Sequence, residues 1–316
     1  MDDVPLSQAS RKVGPPIAAA EATGAAAPRI AVGIATAGRP QLLRLALTEL
    51  GKQTRAPEGI IVSAPSEADV ELGEHLDEVR IILGARGLTR QRNAILRQAQ
   101  DFDVVVFFDD DFFPEANYLA VVEEVFRHHP DVAMMTGSLI ADGIIGPGIP
   151  VAGALDRLHD DAPPQNVAAV ADVINAYGCN MAVRLAPARV HDCRFDETLP
   201  LYGWLEDVDF SRQLAAHGRI VKAEAARGVH LGIKQGRQSG LRLGYSQIAN
   251  PVYLMRKGTC PWRLGLALMG RNLLANCCKA LRPEPYVDRF GRARGNFIGF
   301  FDLLRGRLDP QRITEF

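Results

Sequence analysis

Three consecutive aspartates, Asp109, Asp110 and Asp111, follow a run of five apolar residues and precede two phenylalanines and a proline. Because side chains alternate sides along an extended chain, Asp109 and Asp111 would face one way and Asp110 the other. A facing pair of carboxylates can bind a hard cation such as Mg²⁺, which would relieve their mutual repulsion. The alternative is a solvated acidic turn, but the apolar pairs Phe107–Phe108 and Phe112–Phe113 argue against an idle surface turn. We therefore predict a metal or nucleotide site here, with Asp110 the most tolerant of mutation.

A second acidic group, Glu206, Asp207 and Asp209, lies in a predicted helix start. A carboxylate there could take the proton from an attacking hydroxyl group. The helix start lowers the pKa of Asp207, whereas the neighbouring carboxylates raise it, and the sequence leaves the balance open. An acidic first helical turn without a function is the alternative. Trp204, just before it, is either a surface on which a ligand ring could stack or a buried aromatic residue.

Basic residues near these acids are candidates for binding an anion. Arg90 and Arg92 open a predicted helix at the same sheet edge as the aspartates, where helix N-termini favour phosphate. Arg237 and Arg242 lie in a Gly-rich segment that is either a lid over a bound phosphate group or a solvated basic loop. His230, which precedes that segment, is either a metal ligand or an ordinary core or surface histidine.

The elements that position these residues alternate between short apolar strands and helical patterns. Such continuous apolar strands are typical of a parallel sheet covered by helices on both faces. Ligands bind just outside the carboxyl ends of the strands of such sheets, which is where the three aspartates fall. The predicted strands cover 29–36, 59–64, 79–84, 103–108 and 131–139. One predicted helix begins at Pro40, and two others cover 89–100 and 114–129.

The pattern changes after residue 139, where Gly and Pro become frequent. The last predicted helix is amphipathic and interrupted by charged and amide side chains, so it is not a membrane span. It is either an interfacial helix or a helix packed on the domain. The predicted elements are surface loops over 140–153 and 159–166, a strand region over 172–186, a helix over 206–218 ended by Gly218, a basic loop over 232–247 and the amphipathic helix over 262–281.

Length and composition set limits on the class of protein. The 316 residues fit one large α/β domain or two small ones, and the net charge of −1 provides no global basic field for nucleic acid. Five cysteines without a Cys-x-x-Cys pair indicate a reducing compartment. The Ala-rich residues 1–28 show no secretory signal and predict a disordered tail. We therefore expect a cytoplasmic protein.

Five segments, taken in order, resemble glycosyltransferase family 2, whose members have the GT-A fold. They span about residues 29–230 and read "GIATAGRPQLLRLALTEL", "GLTRQRNAIL", "VVVFFDDDFFP", "YGCNMAVR" and "GWLEDVDFSRQLAAHG". The resemblance implies an α/β, Rossmann-like, mostly parallel central sheet with helices on both faces and a helical C-terminal extension. It divides the chain into a nucleotide-sugar-binding half (29–139), an acceptor-binding half (140–245) and that extension (246–316).

The resemblance also implies an activity, the transfer of a sugar from a nucleotide diphosphate sugar with the help of Mn²⁺ or Mg²⁺. The family commonly has an Asp at the end of the second strand that reads the base, and this chain has Ser63 and Ser66 in that region. Implied roles are nucleotide-sugar binding by Thr36, Arg39, Ser63, Arg92, Asn93, Asp109 and Asp110, metal binding by Asp109, Asp111 and His230, catalysis by Asp207 with Glu206 beside it, a diphosphate lid with Arg237 and Arg242, and acceptor contact by Trp204.

The implied reaction can be narrowed further. In-line attack with a single base predicts inversion at the anomeric carbon, and the Gln-x-x-Arg-Trp motif of processive synthases is absent, which favours one sugar per event. The donor would be a UDP-sugar by preference, and the acceptor a hydroxyl of a glycan or of a lipid-linked carrier at the inner face of the membrane. Two alternatives are a sugar-phosphate nucleotidyltransferase and a non-catalytic module that binds a nucleotide sugar or glycan.

Overall fold

The computed structural model describes residues 26–72, 79–160, 167–234 and 239–316. The disordered tail predicted over 1–28 lies almost wholly outside them. The helices are α1 (Pro40–Leu50), α2 (Leu88–Gln98), α3 (Tyr118–His128), α4 (Val151–Asp160), α5 (Leu185–Val190), α6 (Glu206–Leu214), α7 (Gly240–Lys257), α8 (Trp262–Lys279) and α9 (Arg289–Leu304).

Nine strands of the described chain form one sheet. They are β1 (Ile30–Ala35), β2 (Gly59–Ala64), β3 (Val79–Leu83), β4 (Val104–Asp109), β5 (Phe112–Pro114), β6 (Val132–Asp142), β7 (Val170–Asp172), β8 (Asn180–Arg184) and β9 (Arg219–His230). Their order is β3-β2-β1-β4-β8-β6-β9-β5, with β7 paired to β9. The neighbours within β3-β2-β1-β4 are parallel, as are β6 and β9. β8 runs antiparallel between β4 and β6.

Helices cover both faces of this sheet because its strands are apolar on both sides. In β4, Val104, Val106 and Phe108 pack with α1 and α3, whereas Val105 and Phe107 pack with α2 and α6. The predicted α/β fold with helices on both faces is therefore confirmed. β4 ends at Asp109, and Asp110 and Asp111 form the turn before β5, where the side chains still point alternately to opposite sides.

Two segments predicted as loops are regular in part. The Gly- and Pro-rich region after residue 139 contains the last residues of β6 and, further on, the start of α4. Val151, Ala154, Leu155 and Leu158 follow a helical period and pack in one apolar cluster, which explains α4 despite the nearby glycines. The basic segment over 232–247 becomes helical at Gly240.

A side-chain cap and the burial of one helix face explain why α7 begins at Gly240. The Ser239 side chain accepts a hydrogen bond from the Arg242 amide at 3.4 Å. Tyr245, Ile248 and Ala249 are completely buried along one helix face. Burial of this face outweighs the poor helix propensity of the glycines.

The predicted end of α6 is also different. The helix ends at Leu214, four residues before Gly218. Gly218 is needed for close packing, since a Cβ at this position would lie 2.7 Å from the Asp131 carbonyl oxygen. The glycine therefore marks a close backbone approach at the start of β9 and not a helix cap.

The chain ends in three packed helices, α7, α8 and α9, which form the predicted helical extension. α7 contacts both of the others. Among the described residues, no helix combines the length and apolar character needed to cross a membrane. The boundaries predicted after residues 139 and 245 fall within β6 and α7, so the division into two halves stays a prediction.

Candidate functional site

The facing pair of aspartates meets a histidine at the carboxyl edge of the sheet. Asp109 ends β4, and His230 ends β9. One ligand atom from each of Asp109, Asp111 and His230 lies within 4.8 Å of the others. These atoms are two carboxylate oxygens and one imidazole nitrogen, a donor set that suits a divalent cation. The three residues thus fit the metal that the sequence implied.

His230 is held in place by a residue that the sequence did not single out. Its Nδ1 lies 2.8 Å from Asp142 Oδ1, which leaves Nε2 facing Asp111 Oδ1 at 3.5 Å. Asp142 also accepts a hydrogen bond from the Tyr177 hydroxyl at 3.3 Å. A carboxylate behind a histidine is the usual arrangement for orienting a ligating imidazole.

Charges in this cluster shift its pKa values in opposite directions. Burial alone would raise the pKa of Asp111, but His230, Arg39 and the Ile233 amide together lower it. Burial alone would lower the pKa of His230, but Asp111 and Asp142 raise it to about 10. The Asp111 carboxylate is therefore held ionised, ready to ligate a cation.

Asp110 points away from the pair, as strand alternation predicts, and it has partners of its own. It accepts a hydrogen bond from the Thr36 hydroxyl at 2.7 Å and pairs with Arg39 at 2.5 Å. Arg39 also reaches Asp111 at 3.4 Å. Burial raises the pKa of Asp110 to about 7, against the effect of Arg39. Asp110 thus anchors the loop after β1, and its tolerance of mutation stays a prediction.

Arg92 connects the metal cluster with the second acidic group. It is fully buried, and its guanidinium donates to Asp109 at 2.9 Å, to Glu206 at 2.6 Å and to the Gly178 carbonyl at 2.7 Å. One side chain therefore fixes two carboxylates from elements far apart in sequence. Since guanidinium presents several donors in one plane, this bridging suits arginine better than lysine.

Asp207 lies beside this bridge. The amides of Gly178 and Val208 donate to its two carboxylate oxygens at 3.1 and 2.8 Å. The space at Gly178 is tight, because a Cβ here would lie 3.0 Å from Glu206 Oε1 and 3.4 Å from the Arg92 guanidinium and would push these side chains aside. The tight approach at Gly178 thus holds both acids of the second group close to Arg92.

Burial has the largest effect on the pKa values of the second acidic group. It raises the pKa of Asp207, although the amides of Val208 and Gly178 act in the opposite direction. It also raises the pKa of Glu206 to about 8, against the effect of Arg92. Glu206 Oε2 is buried and has no hydrogen-bond partner among the described residues. A buried acceptor of this kind normally has a partner, so a ligand hydroxyl or water is expected there.

The end of β2 joins the site through Ser63. Its carbonyl accepts from the Thr36 amide at 3.0 Å and from the Gln91 side chain at 2.8 Å. The Ser63 hydroxyl is fully buried and unpaired within the part of the chain that the structure describes. It thus lies next to Thr36, where the sequence predicts nucleotide binding, with a free hydrogen-bonding group.

Other predicted residues lie apart from these contacts. Asn93 clamps a neighbouring loop, donating to the Phe195 carbonyl at 2.8 Å and accepting from its amide at 3.0 Å. Arg242 is in α7 and donates to the Phe316 carbonyl at 3.0 Å. Trp204 packs against a cluster formed by α6, α7 and α8. Arg237 is outside the described residues.

Sequence reasoning missed Asp142, Gln91 and Gly178. Asp142 lies in a segment whose Gly and Pro residues are typical of a loop. The Asp142–Gly143 pair, which is typical of a turn after a strand, was the only local indication of its position. Gln91 lies between Arg90 and Arg92, which were noticed, and it ties the ends of β1 and β2 together through Thr36 and Ser63. These roles depend on contacts across the sheet, which a local pattern does not encode.

Comparison with known proteins identifies the fold of this chain. No family model matches this chain, and no curated protein matches it. Staphylococcus aureus TarS 1–349 in complex with UDP shares 14% identity at a TM-score of 0.55, over 91% of this chain and 90% of that one. The mannosyltransferase PcManGT from Pyrobaculum calidifontis, in complex with GDP-Man and Mn²⁺, shares 16% identity at a TM-score of 0.54, over 89% and 88%.

Two longer structures are matched only in part. GalNAc-T7 with UDP, GalNAc and Mn²⁺ has a TM-score of 0.50 at 13% identity, and this chain covers 56% of its length. The chain covers 40% of a longer TarS structure. At such low sequence identity, the similarity to these structures shows a shared arrangement of the sheet and its helices. The chain therefore has the GT-A fold, the fold of these solved glycosyltransferases.

Proposed function

We propose that this protein is a metal-dependent glycosyltransferase that moves one sugar from a nucleotide diphosphate sugar to a hydroxyl group, with inversion at the anomeric carbon. One observation carries the proposal. A cluster of possible metal ligands, Asp109, Asp111 and His230, lies at the carboxyl edge of the sheet. Arg92 and Gly178 connect this cluster to Asp207, a separate, half-buried carboxylate.

On the donor side, we assign Asp109, Asp111 and His230 to a divalent cation. An imidazole ligand favours a transition metal such as Mn²⁺ over Mg²⁺, which keeps to oxygen ligands. When bound, the cation would neutralise charge on the leaving diphosphate. Thr36 and Arg39, held by Asp110, supply a hydroxyl and a guanidinium to the nucleotide side of the same edge.

On the acceptor side, we assign Asp207 as the general base. Its raised pKa makes it a better proton acceptor than an ordinary aspartate, while the two amides that bind it keep its oxygens oriented. The unpaired Glu206 Oε2 is proposed to form a hydrogen bond with a hydroxyl of the donor sugar or acceptor. A single base opposite the leaving group is the arrangement that gives inversion.

The donor that we favour is a UDP-sugar, and the acceptor is a glycan or a lipid-linked carrier. The related fold occurs in structures that contain UDP, UDP-GlcNAc and GDP-Man. The unpaired Ser63 hydroxyl, at the end of β2, is our candidate for a contact with the nucleotide.

The first test is donor turnover with a panel of nucleotide sugars and Mn²⁺. We expect slow release of nucleotide from one donor and a fall of about a hundredfold or more in Asp111→Ala, because a ligand of the metal is lost. Asp101→Asn, which changes an exposed aspartate in a turn, is the matched control and should behave as wild type. A donor that is turned over equally by Asp111→Ala would overturn the metal assignment.

The second test concerns the base. Asp207→Asn keeps only one of the two acceptor oxygens, which can still bind the Gly178 amide, and loses the proton acceptor, so donor affinity should stay within about twofold. The rate of transfer to an acceptor should fall by about 10²–10⁴. Donor affinity from calorimetry and kcat from product analysis separate the two effects. Full transfer activity in Asp207→Asn would contradict the role, and donor binding without any transfer in wild type would indicate a binding module.

A further inference from the structure

Helix α8 buries two large apolar side chains on its inner face but leaves several others on the outside. Its buried positions include Gly265, Asn272 and Asn276. Its exposed residues include Trp262 and Leu274, whose surfaces are 62% and 65% exposed. A helix on the surface of a water-soluble domain normally buries its large apolar side chains and exposes its amides.

Helix α9 shows the same inversion more strongly. Its buried residues include Gly295, Asn296 and Gly299. Its exposed face carries aromatic and aliphatic side chains at helical spacing, so they form one stripe along the helix. The stripe consists of Phe290, Phe297, Phe301 and Leu304, which are 74%, 60%, 52% and 86% exposed.

The inner faces explain how such helices hold together. A Cβ on Gly295 would lie 2.2 Å from the Leu241 carbonyl oxygen, so α9 and α7 meet backbone to backbone. Asn276 donates to Gln247 at 2.8 Å and to Asn296 at 2.9 Å, which joins all three helices. Small residues and amide hydrogen bonds at helix contacts, with large apolar side chains outside, are typical of helices that face lipid.

Basic side chains accompany the exposed aromatic ones. The outer face of α9 and the C-terminal residues line a groove of about 810 Å³ that includes four phenylalanines together with Arg294, Arg305 and Arg307. The Arg305 guanidinium lies 3.8 Å from the centre of the Phe301 ring. The last 55 residues contain ten Lys and Arg but five Asp and Glu, although the whole chain has a net charge of −1. The positive charge is thus concentrated on the part of the chain with exposed apolar stripes.

We propose that the outer faces of α8 and α9 form a docking surface for a membrane with anionic headgroups. The aromatic stripe would enter the boundary between headgroups and acyl chains, and the arginines would pair with headgroup phosphates. A bilayer fits better than a protein partner because the inner faces are packed like helices in lipid and because cationic side chains border the stripe. The helices lie on the membrane and do not cross it. Docking is independent of the proposed sugar transfer and would bring the site close to lipid-linked molecules.

Co-sedimentation of the full chain with vesicles tests the proposal. We expect binding to phosphatidylcholine vesicles containing about a third phosphatidylglycerol, and binding about tenfold weaker or less to pure phosphatidylcholine or at high salt. Trp262, one of two tryptophans, should shift its emission to the blue when the anionic vesicles are added. The double variant Phe297→Ser and Phe301→Ser, at exposed positions, should lose about tenfold or more in vesicle affinity.

The matched control is Val190→Ser, which removes a 77% exposed apolar side chain outside the C-terminal helices and should bind vesicles as wild type does. Donor turnover without vesicles should be equal in all these variants, so a failure of docking is distinct from a failure of the proposed function. Absence of binding to anionic vesicles, equal binding to neutral ones, or a double variant that binds normally would each overturn the proposal. So would a wild-type dimer in solution that the double variant lacks, with no vesicle binding.

Discussion

Asp142 is the residue whose role is clearest from geometry alone. It holds His230 by Nδ1, which leaves Nε2 directed at the aspartate pair. The sequence placed it in a loop, but it is the last residue of β6, paired in register with His230 of β9. The adjacent Gly143 allows this approach, because a Cβ there would lie 1.9 Å from the Leu231 carbonyl oxygen.

Replacing Asp142 by Asn should weaken metal binding without unfolding the protein. Asn keeps the shape but loses the charge that fixes the imidazole, so Mn²⁺ affinity should fall by about 10- to 100-fold. Calorimetric titration of Mn²⁺ in the presence of UDP measures this directly. Asp156→Asn, an exposed substitution on α4, is the control. Unchanged Mn²⁺ affinity in Asp142→Asn would show that the carboxylate does not orient His230 for a metal.

At the scale of elements, α6 is tied to α7 by Lys257. Its ammonium group donates to Asp196 at 2.6 Å and to Asp209 at 2.8 Å, and Thr259 donates to the other oxygen of Asp209 at 2.6 Å. Asp209, in α6, is completely buried. Since Asp207 lies two residues earlier in the same helix, the extension at the C-terminus supports the helix that carries the proposed base.

Lys257→Met should lower the free energy of unfolding by about 2 kcal/mol, because charged hydrogen bonds to buried carboxylates are lost. Arg256→Met, at the neighbouring exposed position, should change it by less than about 0.5 kcal/mol. Denaturant unfolding of both variants measures the difference. Equal stability of Lys257→Met and wild type would mean that the tie between the helices is negligible.

The pH dependence of this difference has a definite sign. Burial alone would raise the pKa of Asp196, but Lys257, Thr198 and Tyr253 lower it from its ordinary 3.8, so its contribution is present above that value and lost as pH falls through the folded value. Burial alone would lower the pKa of Lys257, but Asp196 and Asp209 raise it from 10.5, so its contribution is lost only as pH rises above that value. The stability gap should therefore be constant between about pH 5 and 10 and shrink below about pH 4.

At the scale of the whole molecule, the two halves of the sheet meet at the site. β4 brings Asp109, and β9, which pairs on the far side of β6, brings His230. A ligand that binds both would therefore stabilise the folded chain as a unit. The effect depends on the free ligand concentration relative to its dissociation constant.

Saturating UDP with Mn²⁺ should raise the midpoint of thermal unfolding. At a hundred times the dissociation constant, the gain is about 2.7 kcal/mol, which corresponds to about 4 °C for a chain of this size. Chelation with EDTA should remove the metal-dependent part of the shift, and Asp111→Ala should never show it. Differential scanning fluorimetry measures all three. A UDP shift that EDTA leaves intact would contradict a metal that bridges the nucleotide.

Much of the first half of the chain could be predicted from local pattern. β2 was placed to the residue, and the alternation of β4 correctly directed Asp109 and Asp111 to one side and Asp110 to the other. The predictions were wrong where the local composition is typical of a loop but the burial of an apolar face stabilises a helix. The glycines before α4 and α7 resembled loops, but apolar faces that become buried made both segments helical.

The sequence by itself determined the strand that carries the aspartates and the side to which each one points, because burial and side-chain alternation act between near neighbours. Only the tertiary structure decided which distant residues complete the site. His230 meets Asp142 across 88 residues, and Arg92 meets Glu206 across 114. Such pairs depend on how β9 and α6 pack against the rest of the sheet, and no local period specifies that register.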